Sequence, residues 1–433
     1  MNRYHPASDP DFMPKGMLQN VQWSRFSVVL RHTYENVPWY RQRMKEKGVT
    51  PNDIHSLDDL HKLPFIVKTD LRETYPYGMC AVPINEIVRF HASSGTTGKP
   101  IVVAYTKEDL DIWGEVVVRA LTSYGVHEGD ILQNAYGYGL FTGGLGLHFA
   151  ERLGVAVVPI SGGNTERQVM IMQDFGVTAA SCTPSYFLHI IDKAQELGVD
   201  LRRLPIRVGI FGAEPWTEEM RKSIEANSGI RAYDIYGLTE IIGPGVAAEC
   251  HCQNGLHVFE DHFYPEIIDS DTLEPVPDGE YGELVFTTLS KRAMPLVRYR
   301  TRDITKIFTE KCPCGRTIRR IERISHRSDD MFIIRGVNVF PSQIETALLA
   351  MEGVLPHYRI TLTRVNGLDE VEVEVELMQE QFSDTVRSLE TLQRDIRHRI
   401  EGMIGIRVKL TLVQQGTIPR SEGKAKRVFD KRV

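Results

Sequence analysis

The sequence lacks any apolar run long enough to cross a bilayer as a helix, and no secretory signal is recognisable behind its first residues. Neither sign of charge dominates, because 51 basic residues stand against 57 acidic ones and the net charge is −6. Internal repeats and low-complexity segments are also missing. We therefore expect no membrane and no nucleic acid among the partners, and a cytoplasmic location.

The order of apolar segments predicts the fold class. At 433 residues the chain is too long for one ordinary core, so more than one domain is expected. Residues 1–90 are mostly helical in pattern, and short apolar strands then alternate with helical patterns as far as residue 235. This alternation predicts an α/β fold, in which helices cover both faces of a largely parallel sheet.

The pattern of predicted strands, turns and helices changes twice after residue 235. Residues 240–326 are rich in turns and strands, which predicts an antiparallel or barrel-like subdomain that carries the cysteine pairs. A compact α+β pattern begins beyond Ser328, with helices near 341–352 and 384–402 and strands at 370–377 and 408–413. We therefore predict a large domain over residues 1–328 and a small, mobile α+β domain over 329–433.

A short segment rich in glycine and hydroxyl groups has the composition of a phosphate-binding loop. It reads Ser93-Ser94-Gly95-Thr96-Thr97-Gly98-Lys99. Glycines let backbone N–H groups approach an anion closely, while hydroxyls and a lysine add donors and positive charge. The spacing differs from the Walker pattern, because the first glycine is too close to the Gly-Lys pair. The alternative interpretation is a polar hairpin turn.

Three further segments are weak signals when each is taken alone. Residues 236–240, Tyr-Gly-Leu-Thr-Glu, follow a predicted strand at the position where parallel sheets bind ligands, although a turn explains them equally well. Asp303 could accept hydrogen bonds from ribose hydroxyls, but Arg/Asp runs are usually solvated. Lys424 follows Gly423 near the end of the chain, where a basic tail is the alternative.

The cysteines are unevenly placed, and a Cys-x₂-Cys zinc knuckle is absent. Four of the six form two Cys-x-Cys pairs, and clustered cysteines in a reducing compartment favour a metal over a disulfide. One tetrahedral set would be Cys250, His257, Cys312 and Cys314, in which Cys252 or His251 could replace a member. Free thiols and disulfides are the alternatives.

Taken together and in this order, these segments resemble the acyl-adenylate-forming superfamily over nearly the whole chain. The matching parts are the loop at 93–99, residues 236–240, Asp303, Arg327-Ser328-Asp329 and Lys424. The common terminal pattern Pro-Lys-Thr-x-x-Gly-Lys reads Pro-Arg-Ser-Glu-Gly-Lys here. Within the superfamily, the strings at 38–40, 91–100, 212–216 and 335–345 are similar to the phenylacetate–CoA ligase family.

The resemblance implies two half-reactions at one site: a carboxylate and ATP give acyl-AMP and pyrophosphate, and the thiol of CoA then displaces AMP. The implied catalytic residues are Lys424, Glu240 and Thr97, with Glu240 also holding Mg²⁺. Asp329 would be the hinge on which the small domain turns. A structural Zn²⁺ would occupy the cysteine cluster, and a homodimer is possible.

The implied contacts to the nucleotide divide by its parts. The phosphates would be held by Ser93, Ser94, Gly95, Thr96, Thr97, Gly98 and Lys99, and the ribose by Asp303 and Arg327. The remaining nucleotide-binding residues are Gly212, Ala213, Glu214, Pro215, Asp234, Ile235, Tyr236, Gly237 and Thr239. The segment 134–144 combines aromatics with glycines, which suggests an acyl pocket at Tyr136, Phe141, Gly143 and Ala213, although such clusters are often core.

Three functional alternatives stay open from the sequence. The same chemistry could act on another aromatic acid, such as a benzoate, a hydroxyphenylacetate or an indole acid. An adenylation enzyme could instead load the acyl group onto a carrier protein. A nucleotide-binding sensor without catalysis is the non-enzymatic alternative, which Lys424 and Glu240 speak against.

Overall fold

The computed structural model describes residues 5–93, 100–324, 326–335, 337–365, 368–383, 386–421 and 425–432. Its α-helices are α1 (Lys15–Asn36), α2 (Pro38–Glu46), α3 (Lys68–Glu73), α4 (Lys107–Ser123), α5 (Thr142–Leu147), α6 (Thr165–Asp174), α7 (Pro184–Glu196), α8 (Glu218–Ser228), α9 (Pro341–Leu349), α10 (Gln379–Ser383) and α11 (Val386–Ile404). Within these ranges, no helix combines the length and the apolar character that a bilayer crossing requires.

The strands are short and numerous after residue 88. They are β1 (Arg89–Ala92), β2 (Val102–Tyr105), β3 (Ile131–Asn134), β4 (Ala156–Val158), β5 (Ala179–Cys182), β6 (Val208–Gly212), β7 (Arg231–Leu238), β8 (Gly243–Ala248), β9 (Leu256–Val258), β10 (Phe263–Ile268), β11 (Gly282–Thr288), β12 (Tyr299–Thr305), β13 (Arg320–Ile321), β14 (His326–Arg327), β15 (Phe332–Ile334), β16 (Val337–Val339), β17 (Val354–Val365), β18 (Leu368–Leu377), β19 (Lys409–Gln414) and β20 (Val428–Asp430).

The largest sheet has eight strands in the order β13-β9-β8-β7-β6-β5-β3-β4. Five strands, β4, β3, β5, β6 and β7 in sheet order, are mutually parallel, as predicted. Strands β8, β9 and β13 continue the sheet in antiparallel pairing. Successive residues of a strand point to opposite faces of the sheet. On β6, Ile210 accordingly joins one hydrophobic core and Phe211 another, so both faces are covered as predicted.

The turn-rich region divides between two sheets, which its sequence pattern did not predict. Strands β10, β11, β12 and β14 form a four-stranded antiparallel sheet. Strands β9 and β13 instead extend the large sheet. Among the described residues the four-stranded sheet ends at β10 and β14, so the barrel-like part is an open sheet rather than a closed barrel.

The C-terminal part is an α+β unit with a hydrophobic core of its own. Its sheet has the order β19-β18-β17-β20, and α9 and α11 contribute Ile344 and Ile396 to the core. The predicted helices and the strands near 370–377 and 408–413 are confirmed. The twelve residues of β17 were not predicted, although this strand pairs with β18 along most of its length.

A buried ion cluster joins distant parts of the large domain. The guanidinium of Arg119 lies on α4, is fully buried, and donates to Asp11 Oδ1 at 2.6 Å and to Asp261 Oδ1 at 2.8 Å. Arg316 donates to the other oxygen of Asp11 at 3.0 Å. Buried charges of this kind are tolerated only when they are paired and hydrogen-bonded, so the N-terminal segment is fixed to the sheet.

Candidate active site

A carboxylate at the edge of the four-stranded sheet is held from two sides. Strands β12 and β14 pair so that Asp303 and Arg327 are direct partners. Nη1 of Arg327 donates to Asp303 Oδ1 at 3.1 Å, and the hydroxyl of Tyr236 donates to Oδ2 at 2.6 Å. Burial raises the pKa of Asp303, although Arg327 opposes the shift. The structure therefore brings together three predicted nucleotide-binding residues from β7, β12 and β14.

The turn after β6 places Glu214 beside helix α7. Gly212 pairs with Ile235 of β7, and a Cβ on Gly212 would lie 2.3 Å from the carbonyl oxygen of Ile235, which explains the glycine. Ala213 has a φ of +70°, a left-handed conformation that is uncommon outside glycine. The carboxylate of Glu214 then accepts a hydrogen bond from the backbone N–H of Ser185 at 2.9 Å. Four predicted site positions thus meet at the ends of β6 and β7.

Asp234 belongs to a buried cluster of charged groups that the sequence did not predict. Its backbone N–H donates to Glu249 Oε2 at 2.8 Å, and Nη2 of Arg221 donates to Glu249 Oε1 at 2.6 Å. Nε of Arg323 lies 3.6 Å from Asp234 Oδ2. Burial, and then the neighbouring Glu249, raise the pKa of Asp234. Burial also raises the pKa of Glu249, to about 7, while Arg221 opposes that shift. Because Glu249 has the closer arginine, we assign the negative charge of the pair to Glu249 and a proton to Asp234.

The segment that carries Thr239 and Glu240 is fixed through its carbonyl groups. The ammonium of Lys291 donates to the carbonyls of Glu240 at 3.1 Å and Ile241 at 2.6 Å, and burial lowers its pKa to about 8. The hydroxyls of Thr239 and Thr142 lie 3.1 Å apart. Gly237 is equally constrained, because a Cβ there would lie 1.9 Å from the oxygen of Gly243.

The carboxylate of Glu240 has a partner that sequence reasoning missed. Glu240 is buried, and its Oε1 lies 3.4 Å from the ammonium of Lys68 at the start of α3. Neither Lys68 nor Lys291 stands in a pattern that distinguishes it from surface lysines, so no local signal could have found them. The hard carboxylate ligand predicted for Mg²⁺ is therefore present, with a positive charge already beside it.

The predicted acyl pocket contains one half-buried and one exposed aromatic side chain. Tyr136 follows β3, and burial raises the pKa of its hydroxyl. Gly143 faces this ring, since a Cβ there would lie 3.1 Å from it, so a larger residue would displace Tyr136. Phe141 is half exposed at the start of α5. Close approach at Gly143 agrees with the sequence interpretation, while the exposure of Phe141 was not predicted.

The predicted phosphate loop is described only at its edges. Ser94, Gly95, Thr96, Thr97, Gly98 and Lys99 lie outside the described residues, as does Lys424. Ser93 is described, and its N–H donates to the carbonyl of Ile101 at 3.0 Å, which closes the β1–β2 pair around the predicted loop. The N–H of Ala92 donates to the carbonyl of Leu140 at 2.9 Å, so this hairpin adjoins the segment that carries Phe141.

A cavity of about 890 Å³ lies between the large and small domains. From the large domain it is lined by Glu214, Pro215 and Arg323, and from the small domain by Tyr358 and Ala425. The predicted hinge residue Asp329 also lines it, and both of its carboxylate oxygens accept hydrogen bonds from Arg327, at 2.8 and 3.1 Å. The predicted hinge is therefore coupled to the same arginine that holds Asp303.

The predicted cysteine cluster forms a compact buried group. The ligand atoms of Cys250, His257, Cys312 and Cys314 lie within 4.8 Å of one another. His251 and Cys252 also lie within 4.8 Å of Cys250, with the N–H of Cys252 donating to the sulfur of Cys250 at 3.4 Å. The cluster joins the segment after β8, strand β9 and the segment before β13. It therefore lies at the antiparallel edge of the large sheet and not in the four-stranded sheet.

The α/β domain, the small α+β domain, and the carboxylates of Glu214 and Asp329 that line the cavity between them define the chain as an adenylate-forming enzyme. The chain belongs to the AMP-binding enzyme family: residues 39–290 match the model of that description, and residues 336–432 match the AMP-binding enzyme C-terminal domain. It is 51% identical to a phenylacetate–coenzyme A ligase of Pseudomonas putida, with all of both chains covered. It is 50% identical to the Escherichia coli enzyme of the same description, covering 96% of this chain and 95% of that one.

Solved structures of 2-hydroxyisobutyryl-CoA ligase are similar over the whole chain at 30% identity, covering 94% of that protein. The TM-score is 0.93 for its postadenylation state in complex with an acyl-AMP, and 0.73 for its thioesterification state with CoA. These comparisons confirm the predicted chemistry. The chain is an AMP-forming acid–thiol ligase, which uses ATP and CoA and works through an acyl-adenylate.

Proposed function

We propose that the acid is phenylacetate or a closely related aromatic acid. Support comes from relatives that carry this activity in their names and are about half identical to this chain from end to end. The half-buried ring of Tyr136 is a suitable apolar wall for an aryl group, Gly143 lets this ring pack close to the backbone, and Ala213 is proposed to line the same pocket. Phe141 is proposed to close over the bound ring from its exposed position.

In the first half-reaction, the acid must attack a phosphate although both are anionic, so positive charge has to be placed beforehand. We assign Lys424 to bridge the carboxylate and the phosphate oxygens. The loop from Ser93 to Lys99, including Thr97, would bind the outer phosphates, and Asp303 with Arg327 the ribose. The buried carboxylate of Glu240 would hold Mg²⁺, which neutralises phosphate charge when bound.

The cysteine cluster is proposed to hold one structural Zn²⁺. A tetrahedral ion with Zn–S bonds of about 2.3 Å places its sulfurs roughly 3.8 Å apart. The sulfurs of Cys250 and Cys312 lie 3.7 Å apart, and the sulfur of Cys314 lies 3.3 Å from Nε2 of His257. Three thiols and one imidazole leave no open position, so this ion would stabilise the sheet edge and take no part in the reaction.

The small domain is proposed to turn about Asp329, so that different groups face the acyl carbonyl in each half-reaction. The boundary between residues 328 and 329, a homodimer and a cytoplasmic location also remain predictions.

The proposed substrate is tested with a panel of acids. The purified protein receives ATP, Mg²⁺ and one acid at a time, and hydroxylamine traps the acyl-adenylate. Phenylacetate or a ring-substituted relative is expected to give the highest kcat/KM, and a larger value for an aliphatic acid would refute the assignment. Thioester formation that requires free CoA separates this function from the loading of a carrier protein.

A further inference from the structure

Helix α7 of the large domain carries a carboxylate that contacts the small domain. Oδ2 of Asp192 lies 3.0 Å from Nε2 of His357 and accepts a hydrogen bond from Nη2 of Arg420 at 3.4 Å. Asp192 and Arg420 are both largely buried, with side-chain exposures of 18% and 14%. A charge pair removed from water to this degree is screened far less by salt than a surface pair.

The small domain presents Arg420 in a fixed orientation. The carboxylate of Glu376 is fully buried and accepts two parallel hydrogen bonds from Arg420, each of 2.8 Å. The same carboxylate accepts from the backbone N–H groups of Gly416 at 3.0 Å and Ile418 at 2.7 Å. A bidentate pair of this kind fixes the plane of the guanidinium. Arg420 therefore meets Asp192 with little loss of side-chain freedom.

A second carboxylate of the large domain, that of Glu214, binds the small domain at Ala425, five residues after Arg420. Glu214 accepts from the N–H of Ser185, the second residue of α7, through Oε1 at 2.9 Å, and from the N–H of Ala425 through Oε2 at 3.0 Å. One side chain of the large domain thus joins the start of α7 to a backbone amide of the small domain. The two contacts, Asp192 with Arg420 and Glu214 with Ala425, are called the α7 dock below.

We propose that the α7 dock is the device that positions the small domain for the adenylation half-reaction. Arg420 and Ala425 stand on either side of Lys424 in the sequence. Arg420 is anchored to α7 directly, and Ala425 is anchored to Glu214, which also accepts from the first turn of α7. The proposal rests on the proposed role of Lys424. Asp192 and Glu214 are positioning residues, because they act through the segment and not on the reacting atoms.

The comparison with solved structures agrees with this assignment. The chain has a TM-score of 0.93 against the postadenylation state of 2-hydroxyisobutyryl-CoA ligase and 0.73 against its thioesterification state. The orientation in which the α7 dock is formed is therefore similar to that of the postadenylation state, in which an acyl-AMP is bound. Each carboxylate bridges the two domains, so any rotation of the small domain breaks both contacts. Their strength consequently sets the balance between the two half-reactions.

The test separates the half-reactions in the full-length enzyme. Asp192→Asn and Glu214→Gln each remove one charged acceptor, and pyrophosphate exchange is measured at saturating ATP and phenylacetate so that weaker nucleotide binding does not contribute. We expect exchange to fall about 10-fold in each variant, as for one lost charged hydrogen bond. In Asp192→Asn, whose carboxylate is outside the nucleotide-binding set, conversion of supplied phenylacetyl-AMP and CoA to the thioester should stay unchanged or become faster. Glu196→Gln, on the exposed end of the same helix, is the matched control.

Two outcomes would overturn the proposal. Exchange within twofold of the wild-type rate in both variants would show that the dock does not position the small domain. Equal losses in both half-reactions, together with a lower melting temperature, would show a purely structural role. Pyrophosphate exchange by the wild-type protein with aromatic acids tests the proposed function independently of either result.

Discussion

The hydroxyl of Tyr236 lies 2.6 Å from Oδ2 of Asp303, and the other oxygen of this carboxylate is held by Arg327. Asp303 is therefore oriented before any nucleotide arrives. A preorganised acceptor loses little freedom on binding a ribose, which favours tight and specific contact.

Asp303→Asn is expected to raise the KM for ATP by about 10- to 100-fold, because a charged acceptor is lost. Tyr236→Phe removes one hydrogen bond that orients Asp303 and should raise the KM for ATP by about 5-fold. Both values come from pyrophosphate exchange at varied ATP. Tyr281→Phe, which removes an exposed tyrosine hydroxyl bonded to Glu322, serves as the control and should leave KM unchanged. A normal KM in Asp303→Asn would contradict the ribose assignment.

Lys424→Ala should abolish acyl-adenylate formation and spare the transfer of a supplied acyl-adenylate to CoA. The first step needs the ammonium between two anions, and the loss of one such group typically slows a step by about 10²–10³. Pyrophosphate exchange and thioester formation report the two steps separately. Lys431→Ala, an exposed lysine near the end of the chain, is the control. If both steps were slowed equally, the assigned role of Lys424 would be wrong.

Cys312→Ser should release the bound zinc and lower the melting temperature by at least about 5 °C, since binding of a structural ion contributes directly to folding. Elemental analysis of the purified protein gives the metal content, and calorimetry gives the melting temperature. Cys80→Ser changes a partly buried cysteine outside the cluster and should retain the metal. A wild-type protein without zinc, and with four titratable thiols in this region, would favour free cysteines instead.

The Asp234 carboxyl predicts a dependence of stability on pH. Its pKa is raised by burial, so the folded protein holds this proton more tightly than the unfolded chain does. The resulting stabilisation is complete below the ordinary carboxyl pKa of about 3.9 and is lost as the pH rises through the folded value. Asp234→Asn keeps the neutral form at every pH.

The melting temperature of Asp234→Asn should therefore match that of the wild type near pH 4, exceed it near pH 6, and decline less steeply as the pH rises further. Asp271→Asn, on an exposed turn, controls for the general loss of one carboxylate. A variant with a lower melting temperature at pH 6 and an unchanged slope would place the negative charge on Asp234 and the proton on Glu249.

The sequence predicted those helices and strands that a local pattern of apolar and turn-forming residues marks. Strands β3 and β5 fall within the predicted alternation of strands and helices that extends to residue 235. Strand β17 was missed because it contains charged side chains, Arg359 and Arg364, and becomes a strand through pairing with β18. The pairing of β13 with β9 joins residues more than sixty positions apart, for which no local pattern exists.

The residues of the candidate site also divide into those that the sequence predicted and those that it missed. Asp303, Tyr236 and Arg327 were predicted because the family motif marks each position, and the structure then supplies their contacts. Lys68, Lys291 and Glu249 were missed because their importance arises from burial beside other charges, and burial is a property of the fold. Asp192 and Arg420 follow the same rule, because their contact joins two domains.

The ion pairs of the Arg119 guanidinium predict the effect of truncating this enzyme at its N-terminal end. The carboxylate partners of this group, Asp11 and Asp261, are separated by 250 positions, so the segment that carries Asp11 holds the large domain together. Removing that segment would take away the acid that Arg119 and Arg316 share and leave the buried guanidinium groups short of a counter-ion. Such a protein should accumulate as aggregate even though every residue of the reaction centre had been retained.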